Sequence, residues 1–194
     1  MKPTLVGDPK ALTAALALLL VARLGAWEAS AEARAFVIDP AASQIRFFAT
    51  SRFVDAEGWF RRFEGTIRID ETRPDTASGT LVVELASVDT RNGLRDDHLR
   101  SSDFFDVDRH PTATFVTTAV QPGDRQWTVL GQLTIRGVNR PITVPVAVSR
   151  AGDAFHVVGE LIVRRRDFGI TYQSVLNPIK DEVRVRVELT ARPR

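Results

Sequence analysis

Hydrophobic and polar residues alternate along most of the chain beyond residue 32. In the stretch 183–189, valine or leucine occupies every second position, with arginine or glutamate between them. Successive side chains of a β-strand point to opposite faces, so a period of two predicts a strand with one buried face. We therefore predict eight strands, which cover residues 45–49, 63–69, 81–85, 113–119, 127–135, 142–148, 155–163 and 183–189.

Short segments rich in glycine, proline and aspartate separate several of these strands. They include residues 70–79, 121–125, 136–141 and 150–153. Such short connections favour antiparallel neighbours. Eight amphipathic antiparallel strands either close into a barrel or stack as two sheets, and only closure removes the exposed edges. The residue pattern therefore predicts an all-β fold and leaves the barrel and the sandwich open.

One segment, residues 90–101, breaks the alternation. Asn92 is a favourable N-cap residue, and Asp96 and Asp97 would follow it near the positive end of a helix. Arg100 comes four residues after Asp96, a spacing at which opposite charges meet on a helix. We predict a helix of about two turns here.

The first 31 residues have the pattern of a signal peptide. Lysines precede an apolar run at residues 11–22, and small residues follow at 29–31. The run is much shorter than the roughly 20 residues that span a bilayer, which favours a removed signal over an anchor. We expect cleavage after about Ala31, export of the protein, and one domain formed by residues 32–194.

Composition excludes several classes of function. The chain has no cysteine, which rules out disulfides, thiol catalysis and cysteine-bound zinc. The formal net charge is only +2, so nothing indicates a nucleic-acid partner.

The segment 95–115, RDDHLRSSDFFDVDRHPTATF, concentrates acids and histidines. Its acids lack the glycine and glutamate positions of an EF-hand, and the chain has only three histidines for a zinc site. An exported hydrolase that uses His98 and nearby carboxylates, with Ser101 or Ser102, stays as an alternative. However, no nucleophile motif surrounds these serines. The spacing favours a capped, solvated helix without a metal.

Three consecutive arginines, Arg164 to Arg166, could bind a phosphate through bidentate contacts. Runs of charge at strand ends are more often solvated, and we favour a solvent-exposed strand end.

Five motifs resemble, in order, the YceI family of periplasmic polyisoprenoid-binding proteins. The longest is SVDTRNGLRDDHLRSSDFFDVDRHPTATF at residues 87–115. The others are FVIDPAASQIRF (36–47), FRRFEGTIRID (60–70), GQLTIRGVNRPITV (131–144) and RRDFGI (165–170). Members of this family often carry histidines near the start and end of the first strand, where this chain has Ala42 and, at about the equivalent position, Ser51.

The resemblance implies an extended, lipocalin-like barrel of eight antiparallel strands with one short helix. It implies a periplasmic binding protein without catalytic residues, cofactor or metal, whose apolar cavity holds an isoprenoid chain such as that of a polyprenyl phosphate or a quinone. The expected partner is this isoprenoid or another long-chain amphiphilic lipid, carried, stored or sequestered. Transient membrane contact and a homodimer are left open, and a solid-cored barrel acting through its surface is a further alternative.

In a barrel the apolar face of each strand points inward, so the candidates for the ligand-binding wall are apolar strand residues and nearby aromatics. They are Phe47, Ala49, Phe60, Phe63, Ile67, Val83, Phe104, Phe105, Phe115, Val144, Phe168, Val185 and Val187. We expect Asp96, Asp97 and His98 to fasten the helix over one end of the barrel, with Phe104 and Phe105 near the cavity.

Overall fold

β-Strands dominate residues 33–194, the part of the chain that the computed structural model describes. Within it lie the strands β1 (Arg34–Ile38), β2 (Gln44–Ser51), β3 (Ala56–Phe60), β4 (Phe63–Ile69), β5 (Ser78–Glu84), β6 (Val88–Asp89), β7 (Thr112–Gln121), β8 (Trp127–Ile135), β9 (Val138–Ala151), β10 (Ala154–Arg164) and β11 (Ile179–Pro193). The helices are α1 (Gly93–Arg100) and the 3₁₀ turns Pro40–Ala42, Pro74–Thr76, Leu85–Ser87 and Arg165–Phe168. None of these helices is long and apolar enough to cross a membrane. The predicted signal peptide lies outside the described residues.

All strand pairs are antiparallel, and the sheet closes on itself. The barrel closes at β1, where Phe36 pairs with Ile67 of β4 on one side and with Pro193 of β11 on the other. Closure pairs β1 on both sides, which removes the open edge that an unclosed sheet would have there. The all-β prediction is confirmed, and the open choice between barrel and sandwich is decided for the barrel.

The eleven strand segments within residues 33–194 form eight strands, because three of the eight are interrupted. β1 and β2 are two parts of one strand, and β3 and β4 are two parts of the next. β1 pairs with β4, and β2 pairs with β3. β5 and β6 likewise continue each other along β4 and β3. Each of the eight predicted strands falls on one of these eight. The prediction missed β1, β3 and β6, which are short and show little alternation.

The β1–β2 interruption has a local cause in the sequence. Asp39 accepts a hydrogen bond from the Ala41 backbone N–H (3.0 Å), and Pro40 has no N–H to donate to a neighbouring strand. Both features favour a turn over an extended ladder, so the strand kinks and then resumes at Gln44.

The barrel has two different ends. One, which we call the turn end, carries the turns 70–77, 122–126 and 152–153. The other, the helix end, carries α1 and the longer connections 52–55, 90–111 and 165–178. The chain passes between the ends eight times, so consecutive connections alternate between them.

Four buried residues pack together at the turn end. They are Phe36, Ile69, Phe155 and Ala191, and the rings of Phe36 and Phe155 meet edge to face with centroids 4.9 Å apart. Edge-to-face rings are a favourable arrangement for buried aromatics. This cluster closes the barrel at the turn end.

Asp70 anchors the first turn-end connection. It is 2% exposed and accepts hydrogen bonds from the Thr72 hydroxyl (2.6 Å), the Thr72 N–H (2.9 Å) and Arg73 Nε (2.9 Å). These bonds stabilise the ionised carboxylate, and they lower the pKa of Asp70 to about 2, with the Thr72 hydroxyl as the largest cause.

At the helix end, α1 begins after Asn92, whose side chain accepts a hydrogen bond from the Arg95 N–H (3.1 Å), as predicted. Asp96 is buried and accepts from the Thr90 N–H (2.9 Å) and hydroxyl (2.6 Å), so it holds the helix to the strand that precedes it. Arg100 pairs with Asp97, not with Asp96 as the four-residue spacing indicated. The burial of Asp96 under Thr90 explains that difference.

Candidate functional site

A cavity of about 580 Å³ occupies the interior of the barrel. Its lining extends from Val148 near the turn end to Phe104 at the helix end, and most of its residues are apolar. Pockets that hold small molecules generally measure about 300–1,000 Å³. The barrel is therefore hollow, and the cavity is large enough for a ligand.

All but one of the predicted wall residues lie on this lining. They are Phe47, Ala49, Phe60, Ile67, Val83, Phe104, Phe105, Phe115, Val144, Phe168, Val185 and Val187. Strand alternation brings most of them together, since every second side chain of a barrel strand points inward. Their contact with a ligand stays a prediction.

Phe63 is placed differently. It is buried, but it packs against Ile38, Ile45 and Leu189 and is not part of the cavity lining. Ile38 and Ile45 flank the β1–β2 interruption, and their side chains cover the Phe63 ring. The period of two places Phe63 on the inner face. It does not show that Ile38 and Ile45, at the kink in the neighbouring strand, pack over Phe63.

Two glycines make room for aromatic rings of the wall. Gly58 lies opposite Phe47 in the β2–β3 ladder, and a Cβ atom at Gly58 would overlap the Phe47 ring. A Cβ atom at Gly131 of β8 would likewise overlap the ring of Phe115. Each ring therefore occupies the space that a side chain at the glycine would fill.

Some of the side chains on the lining are basic. Arg95, His98 and Arg165 contribute to the lining, whereas no aspartate or glutamate of residues 33–194 does. All three belong to the helix end. Arg95 donates from Nε to the Thr90 hydroxyl (2.8 Å) and from Nη2 to the Thr90 carbonyl (2.9 Å). The cavity is thus apolar along its length and basic at one end.

Arg165 is buried, 4% exposed, and it fastens the loop that follows β10. Its guanidinium donates to the backbone carbonyls of Ile170, Tyr172, Ile179 and Lys180 at 2.7–3.2 Å and to Gln173 Oε1 at 2.8 Å. Burial lowers the pKa of Arg165 from its usual value. The interpretation of residues 164–166 as a solvent-exposed strand end is therefore wrong for Arg165, although Arg164 and Arg166 are exposed.

His98 is part of an aromatic cluster at the helix end. Its ring lies 4.9 Å from that of Phe104 and 4.7 Å from that of Tyr172, both edge to face, and Nε2 is 3.1 Å from Asp103 Oδ2. The Ser101 hydroxyl donates to the backbone carbonyl of His98 (2.8 Å) rather than to its ring. The structure does not assemble Ser101 with His98 as nucleophile and base.

In the described part of the chain, no cluster of three or more histidine and acidic side chains is placed to hold a metal ion. The His156 Nδ1 is 3.0 Å from the Thr190 hydroxyl.

Sequence reasoning missed several lining residues. Trp127 and Leu133 belong to a predicted strand and lie on its inner face, so the same period of two could have identified them. Arg95 and Tyr172 come from a helix and a loop, where no period of two exists. Only the tertiary fold brings them to the cavity.

A family model described as the YceI-like domain matches residues 36–191, which begin within β1 and end within β11. The protein named Protein YceI of Salmonella arizonae is 32% identical over 140 residues, which cover 68% of this chain and 71% of that protein.

Solved structures with the same fold include Burkholderia cenocepacia BcnA, which is 29% identical, with a TM-score of 0.74 over 79% of this chain and 98% of that one. A polyisoprenoid binding domain from Saccharophagus degradans, described as implicated in plant cell wall breakdown, is 20% identical. It superposes with a TM-score of 0.68 over 83% of this chain and 99% of that one, and at this identity the likeness concerns the fold.

Proposed function

Because the chain belongs to the YceI-like domain family, we propose that it is a periplasmic binding protein that holds an isoprenoid chain, or another long-chain amphiphilic lipid, inside its barrel. Residues 1–31 would direct its export and then be removed. The related fold of the Saccharophagus degradans polyisoprenoid binding domain supports this class of ligand.

The observation that carries the proposal is the continuous apolar cavity of about 580 Å³. Burying an apolar chain stabilises the complex by about 0.8 kcal/mol per CH₂ group. A few five-carbon units therefore offset the several kcal/mol lost when a flexible ligand is immobilised. Binding of this kind depends on the length and shape of the cavity more than on polar contacts.

The polar head of such a ligand would lie at the helix end. Arg95 and His98 reach the lining there, without an acidic neighbour on the lining, whereas the turn end is closed by Phe36 and Phe155. A phosphate or a quinone carbonyl accepts hydrogen bonds, which matches guanidinium and imidazole donors. The basic end and the apolar length together suit an amphiphile.

Organic extraction of the purified protein, followed by mass spectrometry, tests the proposal. We expect roughly one lipid molecule per chain, or stoichiometric uptake of added polyprenol, quinone or fatty amide by lipid-free protein. Empty protein that takes up none of these three ligands would overturn the proposal.

Two adjacent positions on β10 provide matched variants. Leu161 lines the cavity, whereas the neighbouring Ile162 is exposed on the outer face. We expect Leu161→Trp to fill the cavity and lower the recovered lipid severalfold, and Ile162→Trp to leave it unchanged. Equal losses in both variants would mean that the lipid binds outside the barrel.

A further inference from the structure

The helix end exposes large apolar side chains on two loops. Phe53 and Val54, between β2 and β3, are 69% and 59% exposed, and Val175 and Leu176, before β11, are 94% and 83% exposed. By contrast, none of the exposed large apolar residues found within 33–194 belongs to the turns of the turn end. Clustered apolar side chains on a surface indicate a binding partner.

Hydrogen bonds join the two loops into one surface. The Arg52 N–H donates to the Pro178 carbonyl (3.1 Å), and the Phe53 N–H donates to Asn177 Oδ1 (2.9 Å). We call residues 52–54 with 175–176 the apolar tip. The tip is continuous with the cavity, since Val54 and Asn177 also line it. A ligand that enters between these loops passes directly from the tip into the barrel.

The charges around the tip match a lipid surface. The Arg52 guanidinium lies 5.1 Å from the centroid of the Phe53 ring, and Arg52 and Lys180 form no ion pair with any described residue. Asp55 accepts a hydrogen bond from the Ser51 N–H (3.1 Å), and Lys180 shares a surface hollow with Asp167, Asp181 and Glu182. Arg52 is therefore the cation that lies beside the apolar side chains of the tip. Exposed apolar residues beside a basic side chain are typical of segments that bind at the membrane interface.

We propose that the apolar tip docks on the surface of a phospholipid bilayer, with Phe53, Val54, Val175 and Leu176 entering the boundary between headgroups and acyl chains. Docked this way, the barrel opens toward the acyl chains, and an isoprenoid moves between bilayer and cavity without crossing water. Arg52 then lies beside lipid phosphates. A second copy of the chain is the alternative occupant of this surface.

The role given to docking, transfer of an isoprenoid, rests on the proposed function. Binding to a bilayer depends on the apolar tip and is measured separately. Sedimentation with phosphatidylcholine vesicles, with and without phosphatidylglycerol, measures it. We expect a variant with serine at positions 53, 54, 175 and 176 to lose at least about tenfold in vesicle binding, since each substitution removes apolar area that docking buries. The matched control carries Val116→Ser and Ile162→Ser, which remove exposed apolar residues from the barrel wall.

The absence of cysteine allows a second readout that does not depend on removing side chains. An environment-sensitive fluorophore is attached to Leu176→Cys, or to Ile162→Cys as control. We expect vesicles to shift the emission of the label at 176 to shorter wavelength and to leave the label at 162 unchanged. Equal shifts at both positions, or no shift at 176, would overturn the docking proposal.

Uptake of polyprenol delivered from ethanol separates this proposal from the proposed function. Uptake without vesicle binding rejects docking and leaves lipid carriage intact, whereas vesicle binding by the tip without uptake rejects carriage and keeps docking. If the tip mediates self-association instead, the serine variant changes the sedimentation coefficient in the absence of vesicles, and docking on lipid is rejected.

Discussion

The two ends of the barrel differ in the burial and the partners of their aromatic and charged side chains. At the turn end, Phe36 and Phe155 are buried against each other, and Asp70 is held by three hydrogen bonds from the next turn. At the helix end, Phe53 faces solvent and one of the buried charges, Arg165, donates to backbone carbonyls and Gln173 without a carboxylate partner. The turn end is closed by packing, whereas the helix end combines the cluster of His98, Phe104 and Tyr172 with exposed apolar loops that are joined by hydrogen bonds.

That difference suits a container with one opening. Regions with few buried apolar contacts open at lower free energy than the packed core, and binding sites are commonly found in such regions. A barrel in which both ends were packed like the turn end would trap its ligand. The strands run the full length of the barrel, so the packing of the end residues is what distinguishes its two ends.

The largest effect is expected from the centre of the turn-end cluster. Phe36→Ala leaves a hole beside Phe155 and should lower the free energy of unfolding by about 3–5 kcal/mol. Phe53→Ala at the helix end is the matched control and should change it by less than about 0.5 kcal/mol. Urea denaturation measures both. Similar losses for the two variants would contradict the contrast between a packed and an open end.

Arg165 tests the other end. Arg165→Met keeps much of the side-chain volume but leaves four backbone carbonyls and Gln173 without their donor, so we expect a loss of roughly 2–4 kcal/mol. Faster hydrogen exchange in residues 170–180 should accompany it, while β10 and β11 near the turn end stay protected. Arg164→Met, at an exposed neighbour, serves as control. Unchanged exchange in 170–180 would show that this loop is held by something other than Arg165.

Phe104 and His98 can be ranked against each other at the helix end. Phe104 is buried on the cavity lining, and Phe104→Ala should cost about 2 kcal/mol and weaken lipid binding severalfold. His98 is more exposed, and His98→Ala should cost less than about 1 kcal/mol and lower lipid uptake less than Phe104→Ala does. Denaturation and uptake assays check the order. The opposite order, with loss of turnover of an ester or phosphate in His98→Ala, would favour the exported hydrolase.

The smallest effect concerns the acid response of the turn end. The folded protein holds the pKa of Asp70 at about 2, below its ordinary 3.8, so the unfolded chain binds the proton more tightly. The stability that Asp70 contributes is complete above about pH 4 and is lost as the pH falls toward about 2. Asp70→Asn should flatten the decline in the urea midpoint over this window.

Asp75→Asn, in the same turn but exposed, controls for the loss of one carboxylate. An Asp70→Asn profile parallel to that of the unaltered protein would mean that other groups set the acid response.

Much of this fold could be predicted because strand alternation is a local property. The valines of 183–189 mark the inner face of β11, and the cap at Asn92 marks the start of α1. The kinks escaped prediction because segments such as β3, with five residues, are too short for a period to stand out. Phe63 escaped because its cover comes from the neighbouring strand.

The sequence sorts most strand residues into two faces, since successive Cβ atoms alternate along a regular strand, but it does not mark the irregularity between Thr117 and Ala119 that puts both Thr117 and Val120 on the cavity lining. It also determined that no disulfide holds the barrel, since cysteine is absent. Whether the interior is hollow depends on how many strands enclose the inward side chains, and only the pairing of β1 with β11 decided that. Tertiary structure likewise buried Arg165, because its hydrogen-bond acceptors lie in a loop that folds back over it.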